Sequence, residues 1–409
     1  MSLESHLGRY TTSIASSGEN MGIHRSLITF ILSGISILQI SLVAKSAEPT
    51  TPPPKPVVAE FPIGRWGELI TIPVTWGGKP ACFILDTGCT FSVVDGAYFP
   101  GLPPLPGGVE IGTAGGTREM RKVVPPDLQV GPVSLRRSGA VLVHDLSAFR
   151  VSAGRPIIGV LGMTGIKDFT VQMDFDDHKL KFLHPDDDRH PEWGKEFALK
   201  LDESNNPYVR IRIAGEDEDL AIDTGSNEFV GLLPRTFDRL HEATKQPVIS
   251  LPSLTANGTV EFREMRVAAF EAAGMKFQNV DFSETKTTSA CGLDFLERHL
   301  VTLDFPGHRL YLKPGKEFDH VKRKNMAGLR PVRSGKDLVA RFVVDGGPAY
   351  EAGIRDGDIL LELNGKPIDT YGMLDVRERL TSGEGKEVAI KFRRGDAERT
   401  VKVKLRRAD

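Results

Sequence analysis

The chain reads as a mainly β protein that carries one structural unit twice and then adds a small α+β domain. Three observations support this. The triplet Asp-Thr-Gly occurs at Asp86-Thr87-Gly88 and again at Asp223-Thr224-Gly225, each time behind an apolar run, Cys82-Phe83-Ile84-Leu85 and Leu220-Ala221-Ile222. The residues around the two triplets match in register. A different pattern, rich in Gly and Asp, then runs from Gly346 to Gly365.

The duplication is specific. At the offset of 137 that separates the two Asp residues, Ile72, Val74 and Trp76 fall on Val209, Ile211 and Ile213, and Gly78 on Gly215. Further along the offset becomes 130: Gly162-Met163 falls on Gly292-Leu293, and Val171 to Phe175 on Val301 to Phe305. His178-Lys179-Leu180 likewise falls on His308-Arg309-Leu310. A register held over this many positions marks an internal repeat. One Asp-Thr-Gly alone would be an ordinary turn after a strand.

Chemistry follows from the pairing. A carboxylate at the end of a buried strand is costly to desolvate alone. Two such loops facing each other bring two carboxylates together, and like charges at that distance share a proton. One member then serves as general base for a water and the other as general acid.

A strand, Asp-Thr-Gly, a hairpin, then two apolar residues and a Gly (Val160-Leu161-Gly162 and Ala290-Cys291-Gly292) resembles the aspartic peptidases. Each unit is roughly the size of a retroviral protease subunit and smaller than a pepsin lobe. The closer likeness is therefore a retropepsin-like enzyme with both halves fused, over about residues 60–315. The resemblance implies a pseudo-twofold, two-lobed acid-protease barrel fold, catalytic Asp86 and Asp223, and dyad support from Thr87, Gly88, Thr224 and Gly225. It implies that each Thr hydrogen-bonds across to the other loop. It also implies a peptide or protein substrate and no metal or organic cofactor.

Taken in order, the 409 residues allow two or three domains with sizeable cores. With 40% apolar residues, 26% charged and a net charge of -2, neither general disorder nor a nucleic-acid partner is indicated. Residues 1–46 read as a secretory signal peptide or an uncleaved N-terminal anchor. Leu27 to Ala44 is mostly apolar, His24-Arg25 precede it, and Ala44-Lys45-Ser46 offers small residues for cleavage. Starting instead at Met21 would give a signal of ordinary length. The expectation is export, with the mature chain periplasmic, secreted or anchored at 27–44 to the outer face of a membrane. Residues 47–59 form a Pro-rich linker, extended and solvated.

The first half is expected at 60–185. Leu69, Ile70, Ile72, Val74 and Trp76 have strand patterning, and Gly77-Gly78-Lys79-Pro80 forms the turn into the strand that delivers Asp86. Cys89 reads as a small, partly buried residue, since no His spacing supports a nucleophile. Cys82, Cys89 and Cys291 are odd in number, so disulfides are not expected to hold the fold. Strand, Gly-rich tip and strand from Val109 to Val124 make a hairpin, and a counterpart runs from Ile249 to Val267. In the resembling family such hairpins are flaps that close over substrate. That assigns Gly115 and Gly116 in the first half, and Asn257 and Gly258 in the second, as substrate-binding flap tips.

Residues 184–196, charged and with two prolines, are expected to be a solvated connector to the second half at 196–315. Leu293 to Arg298 is expected to form one or two helical turns. Asp174 and Asp304 precede turns and read as solvated turn acids. His178 and His308 read as exposed hairpin residues rather than metal ligands.

The unit at 328–407 reads as a short helix from Pro348 stopped by Gly353, a strand after Gly357-Asp358, a hairpin at Asn364-Gly365, and a helix from Met373 to Leu380. Its pattern is similar to the PDZ domains of bacterial envelope proteases. The resemblance implies C-terminal peptides held between a sheet edge and the Met373–Leu380 helix, with Gly328 and Leu329 as the carboxylate loop. The combined expectation is an aspartic endopeptidase with a PDZ domain for substrate or partner peptides. The alternative is a non-catalytic peptide-binding protein on the same fold.

Overall fold

The computed structural model describes residues 57–113, 116–185, 188–255, 258–321, 325–334 and 336–406. The expected signal or anchor, including 27–44, lies outside the described residues. Among those described, no helix is long and apolar enough to cross a membrane.

Two mainly β halves have the same strand order. In the first half it is Thr71–Trp76, Lys79–Leu85, Ile157–Leu161, Val93–Asp95, Val141–His144, Gly116–Val123 and Pro104–Thr113. In the second it is Pro207–Ile213, Glu216–Ile222, Ala290–Cys291, Val230–Leu232, Met275–Glu284, Gly258–Ala272 and Val248–Thr255, with Lys200–Leu201 added at the outer edge. The alternation seen from Leu69 to Trp76 is the pleat of an antiparallel hairpin, Thr71–Trp76 against Lys79–Leu85. The Asp-bearing strands are more continuously apolar because each also pairs in parallel on its other side, with Ile157–Leu161 and Ala290–Cys291.

The halves meet in a six-stranded sheet to which both contribute, ordered Val57–Pro62, Lys179–Leu183, Thr170–Asp174, His299–Asp304, Arg309–Pro314, Lys195–Ala198. Its central pair runs antiparallel with Gln172 opposite Thr302, the two residues that the repeat makes equivalent. The pseudo-twofold axis therefore passes between them, and Gln172 Nε2 donates to Thr302 Oγ1 across it at 3.0 Å. Apolar side chains from both halves, among them Leu85, Met173, Ile222 and Leu303, form one continuous core.

Three expectations are corrected. Residues 57–59 are not solvated linker: they belong to the strand Val57–Pro62, paired with Lys179–Leu183. The connector 184–196 is only partly solvated. His190 and Trp193 are buried, their rings stack at 3.9 Å, and Lys195–Ala198 closes the shared sheet. Asp304 is not a solvated turn acid but fully buried. It accepts from Thr170 Oγ1 at 2.9 Å and from Arg309 Nη2 at 2.7 Å. Its repeat partner Asp174 stays partly exposed and accepts from Asp177 N. The difference lies across the ladder, where Asp304 faces Thr170 and Asp174 faces Leu300. His178 and His308 are exposed, both at positive φ on their turns. Leu293–Leu296 forms a single helical turn.

The C-terminal sheet is ordered Arg330–Ser334, Asp337–Arg341, Ile359–Leu363, Glu387–Arg394, Ala397–Lys404, with Lys366–Pro367 on Ile359–Leu363. Helices Pro348–Glu351 and Met373–Leu380 accompany it. It has its own apolar core, including Leu338, Ile354, Leu360, Val376 and Phe392.

Asp304→Ala leaves the Arg309 guanidinium beside an emptied buried site. It is expected to cost roughly 3–5 kcal/mol, since breaking one side of a buried pair strands the other charge. Asp174→Ala should cost less than about 1 kcal/mol. Urea unfolding of the two variants checks the difference.

Candidate active site

Asp86 and Asp223 each leave the end of a central strand, and the loops behind them meet back to back on the pseudo-twofold axis. The backbone N–H of Asp86 donates to Leu161 O at 3.1 Å and that of Asp223 to Cys291 O at 3.0 Å, so parallel neighbours fix both strand ends. Inside each loop the second residue after the Asp donates to its carboxylate, Gly88 N to Asp86 Oδ1 at 2.9 Å and Gly225 N to Asp223 Oδ1 at 2.8 Å.

Both Thr side chains are fully buried. Thr87 Oγ1 donates to Ile222 O at 2.6 Å and Thr224 Oγ1 donates to Leu85 O at 2.8 Å. Each hydroxyl also accepts the other threonine's N–H, at 3.0 and 3.1 Å. Two residues thus satisfy four buried backbone groups of the opposite loop, which burial alone would leave costly.

Neither Gly88 nor Gly225 has a positive φ. They are glycines because of what faces them. A Cβ on Gly88 would stand 2.6 Å from Asp223 Cγ, and one on Gly225 would stand 2.5 Å from Asp86 Oδ2. Only a hydrogen at each position lets the two carboxyls approach. Gly162 and Gly292 perform a similar service one layer behind. A Cβ there would meet Cys89 O at 2.5 Å and Ser226 O at 2.7 Å. These two were visible in the sequence as a matched pair, but nothing in their spacing told of the backbone pressed against them.

Burial raises both carboxyls of the pair. Loss of hydration pushes the Asp86 carboxyl well above the usual carboxylate range, and the Asp223 charge adds to it. Burial raises Asp223 too, but Gly225 N–H and a hydrogen bond from Asp86 oppose that rise. Both side chains remain partly accessible to solvent, as a site for a water requires. Burial, followed by the two Asp charges, pushes the Cys89 thiol well above its ordinary range, and its Sγ donates to Phe91 O. All three cysteines are free.

Hairpins flank the dyad in both halves. Their strands close as Thr113 opposite Gly116 and Thr255 opposite Gly258. Gly116 and Gly258 begin the return strands, whereas Gly115 and Asn257 lie outside the described residues. Gly112 of the first hairpin reaches the second half, where a Cβ on it would be 3.6 Å from Thr287 Cβ. Thr90 Oγ1 donates to Asn206 Oδ1 at 3.0 Å, another bridge between halves that no motif announced.

In the C-terminal domain, Gly328 has a φ of 66°, and its carbonyl accepts Val344 N at 2.9 Å. Leu329 is buried, and its carbonyl accepts from Asn325 Nδ2. The two residues lead directly into Arg330–Ser334, the edge strand.

Residues 72–164 match the family model described as aspartyl protease. An aspartyl-protease-like region is present. Residues 341–394 match the PDZ domain family, a stretch that includes strands Ile359–Leu363 and Glu387–Arg394 and both helices. No curated protein matches the chain. Among solved structures, a photosystem II D1 C-terminal processing protease is 24% identical with a TM-score of 0.21. That likeness spans 23% of this chain and 26% of that one. The chain thus combines an aspartyl-protease-like domain with a PDZ domain.

Thr87→Val keeps the shape but strands Ile222 O and the Thr224 N–H. The expected loss is roughly 1–3 kcal/mol for each stranded group. Thr87→Ser keeps the hydroxyl and should cost only about 1 kcal/mol for the lost methyl. Thermal unfolding of both variants checks the order; equal losses would mean that the methyl, not the hydroxyl, holds the loops.

Proposed function

We propose that the chain is an exported aspartic endopeptidase in which Asp86 and Asp223 activate one water between them. The close approach of the two carboxyls, with a glycine opposite each, is the observation that carries this reading. A water there would lose a proton to the Asp223 carboxylate as its oxygen attacks the peptide carbonyl carbon. Asp86 would give its proton to the carbonyl oxygen. Collapse of the tetrahedral intermediate then breaks the C–N bond: the proton held by Asp223 passes to the leaving amine, and one hydroxyl of the intermediate returns its proton to Asp86 as the carbonyl re-forms. The carboxylate pair ends the cycle sharing one proton, as it began. The hairpins at Gly115-Gly116 and Asn257-Gly258 would cover an extended peptide, and the PDZ domain would hold a peptide C-terminus near Gly328-Leu329. Export, to the periplasm, the medium or an outer membrane face, rests on residues 1–46 and is part of the same proposal.

Asp86→Asn and Asp223→Asn are each expected to lower kcat by about 10²–10⁴-fold, because neither proton-transfer role can be taken over by an amide. Cleavage of a fluorogenic peptide library by the purified proteins tests this. Near-normal turnover in either variant would remove the dyad from the mechanism. Peptide binding by the unsubstituted chain with no cleavage at any pH would favour the peptide-holding alternative.

The pH profile has a sign that can be worked out. The active form carries one shared proton, so activity falls when a second proton binds and when the last one leaves. Both carboxyls are raised from their ordinary value of 3.8. The bell should therefore be acidic but displaced upward from that of two free carboxylates.

Stability follows the same protons. A raised folded-state pKa means that the native protein holds the proton more tightly than the unfolded chain. That contribution is full below about 3.8 and is lost as pH rises through the folded-state values. Asp86→Asn removes the penalty, so its Tm should gain on that of the parent as pH increases toward neutral. Parallel Tm curves would contradict a proton-sharing pair.

A further inference from the structure

A PDZ domain captures peptide by adding it as a strand to a free sheet edge beside a helix. Here that edge is Arg330–Ser334, which among the described residues pairs only with Asp337–Arg341 in its sheet. The helix is Met373–Leu380. Both walls of this groove are engaged by the catalytic region.

Helix Ser147–Ala153 of the first half packs against the edge strand Arg330–Ser334. This helix is anchored from behind: Arg150 pairs with the buried Asp95, whose other contacts include Leu146 N at 2.8 Å. Arg65, also of the first half, bonds Asp375 of the groove helix at 3.1 Å and lies 3.9 Å from Glu378. The second half contributes Glu264, from the long hairpin strand Gly258–Ala272. Burial disfavours the charge on Arg330, and the Glu264 carboxylate counters that effect.

The groove elements carry an excess of positive charge, four arginines against Asp375 and Glu378. The edge strand carries Arg330 and Arg333, and the helix carries Arg377 and Arg379. Loss of hydration and then the nearby Arg330 both disfavour the charge on Arg377. Like charges held this close favour an anionic occupant. In the docked arrangement Glu264 supplies negative charge there.

We propose that the PDZ groove is closed in cis by helix Ser147–Ala153, Arg65 and Glu264 of the second hairpin, and that an acidic peptide with a free C-terminus is the ligand that opens it. The ligand would replace Ser147–Ala153 along Arg330–Ser334 and replace Glu264 beside the arginines. Only the undocked fraction of molecules binds, so the docking contact weakens apparent affinity by that fraction. The consequence reaches the dyad side. Phe149 and Ala153 of the docked helix pack in the same apolar cluster as Cys89 and the hairpin residues Val109, Ile111 and Met120. Capture of a peptide would therefore loosen the base of the first hairpin. This deepens the peptide-binding part of the proposed function, but it concerns binding and not the chemistry of the dyad.

The test uses the full chain carrying Asp86→Asn, so that probes are not cut, and it reads binding alone. The probe is a fluorescent octapeptide ending in Asp-Glu-Val with a free carboxylate. Its C-terminal amide and a version with Ala-Ala-Val serve as comparisons. Adding Arg65→Glu sets a negative charge against Asp375 and Glu378 and should tighten the acidic peptide by about fivefold in fluorescence anisotropy. Arg65→Ala should give a smaller gain in the same direction, and Arg330→Ala a loss. The amide and the neutral peptide should bind more weakly throughout. Hydrogen exchange over 147–153 should speed up when the acidic peptide binds.

Unchanged affinity in both Arg65 variants would show an open groove and overturn the proposal. So would equal binding of acidic and neutral peptides, no binding in any variant, or unchanged exchange over 147–153. Failure of the dyad chemistry would leave all these binding readouts untouched, so the two proposals fall separately.

Discussion

The structure depends on two buried loops that touch across a pseudo-twofold axis with no room for a side chain between them. Thr87 and Thr224 lock these loops by satisfying each other's backbone, and Gly88 and Gly225 allow the opposite carboxyl to come close. The lock sets the distance on which any shared proton depends. It would have little force if the halves could separate. The six-stranded shared sheet and the continuous core hold them together, with Gln172 and Thr302 marking the same axis a layer away. Hydrogen bonding at the loops supplies position, and apolar burial supplies most of the stability.

Symmetry of sequence did not produce symmetry of environment. Burial raises the carboxyls of Asp86 and Asp223, which occupy equivalent places, above the ordinary range. Asp174 and Asp304 are also equivalent, yet one remains partly solvated while the other is buried under Thr170 and Arg309. An antiparallel pairing across the axis places each member of such a pair opposite a different residue. Equivalent positions then differ in desolvation and in partners, and these two terms decide the behaviour of a carboxyl.

The C-terminal domain has a separate core, so its fold owes little to the catalytic region. Its groove is another matter. The edge strand and the groove helix face the first half, through Ser147–Ala153 and Arg65. Exposed ion pairs of this kind are individually weak. That weakness suits a contact that a ligand can exchange, whereas a large apolar interface would hold the domain permanently.

The sequence by itself determined the repeat, the strand that delivers each Asp, the two hairpins, and the bounds of the Met373–Leu380 helix. These follow from local rules: alternation in strands, glycine in tight turns, periodicity in helices. The strands and hairpins are also written twice in the first 315 residues, which turns weak local signals into a register. Only the tertiary structure decided the rest. Asp304 is buried because of a strand far away in the chain, and His190 and Trp193 pack because Lys195–Ala198 closes the shared sheet. Gly162 and Gly292 are required by backbone oxygens that arrive from other loops. The Arg65 contact to Asp375 joins residues on separate domains. Each depends on long-range neighbours whose identity leaves no periodic trace in the chain, and burial and electrostatics are properties of those neighbours.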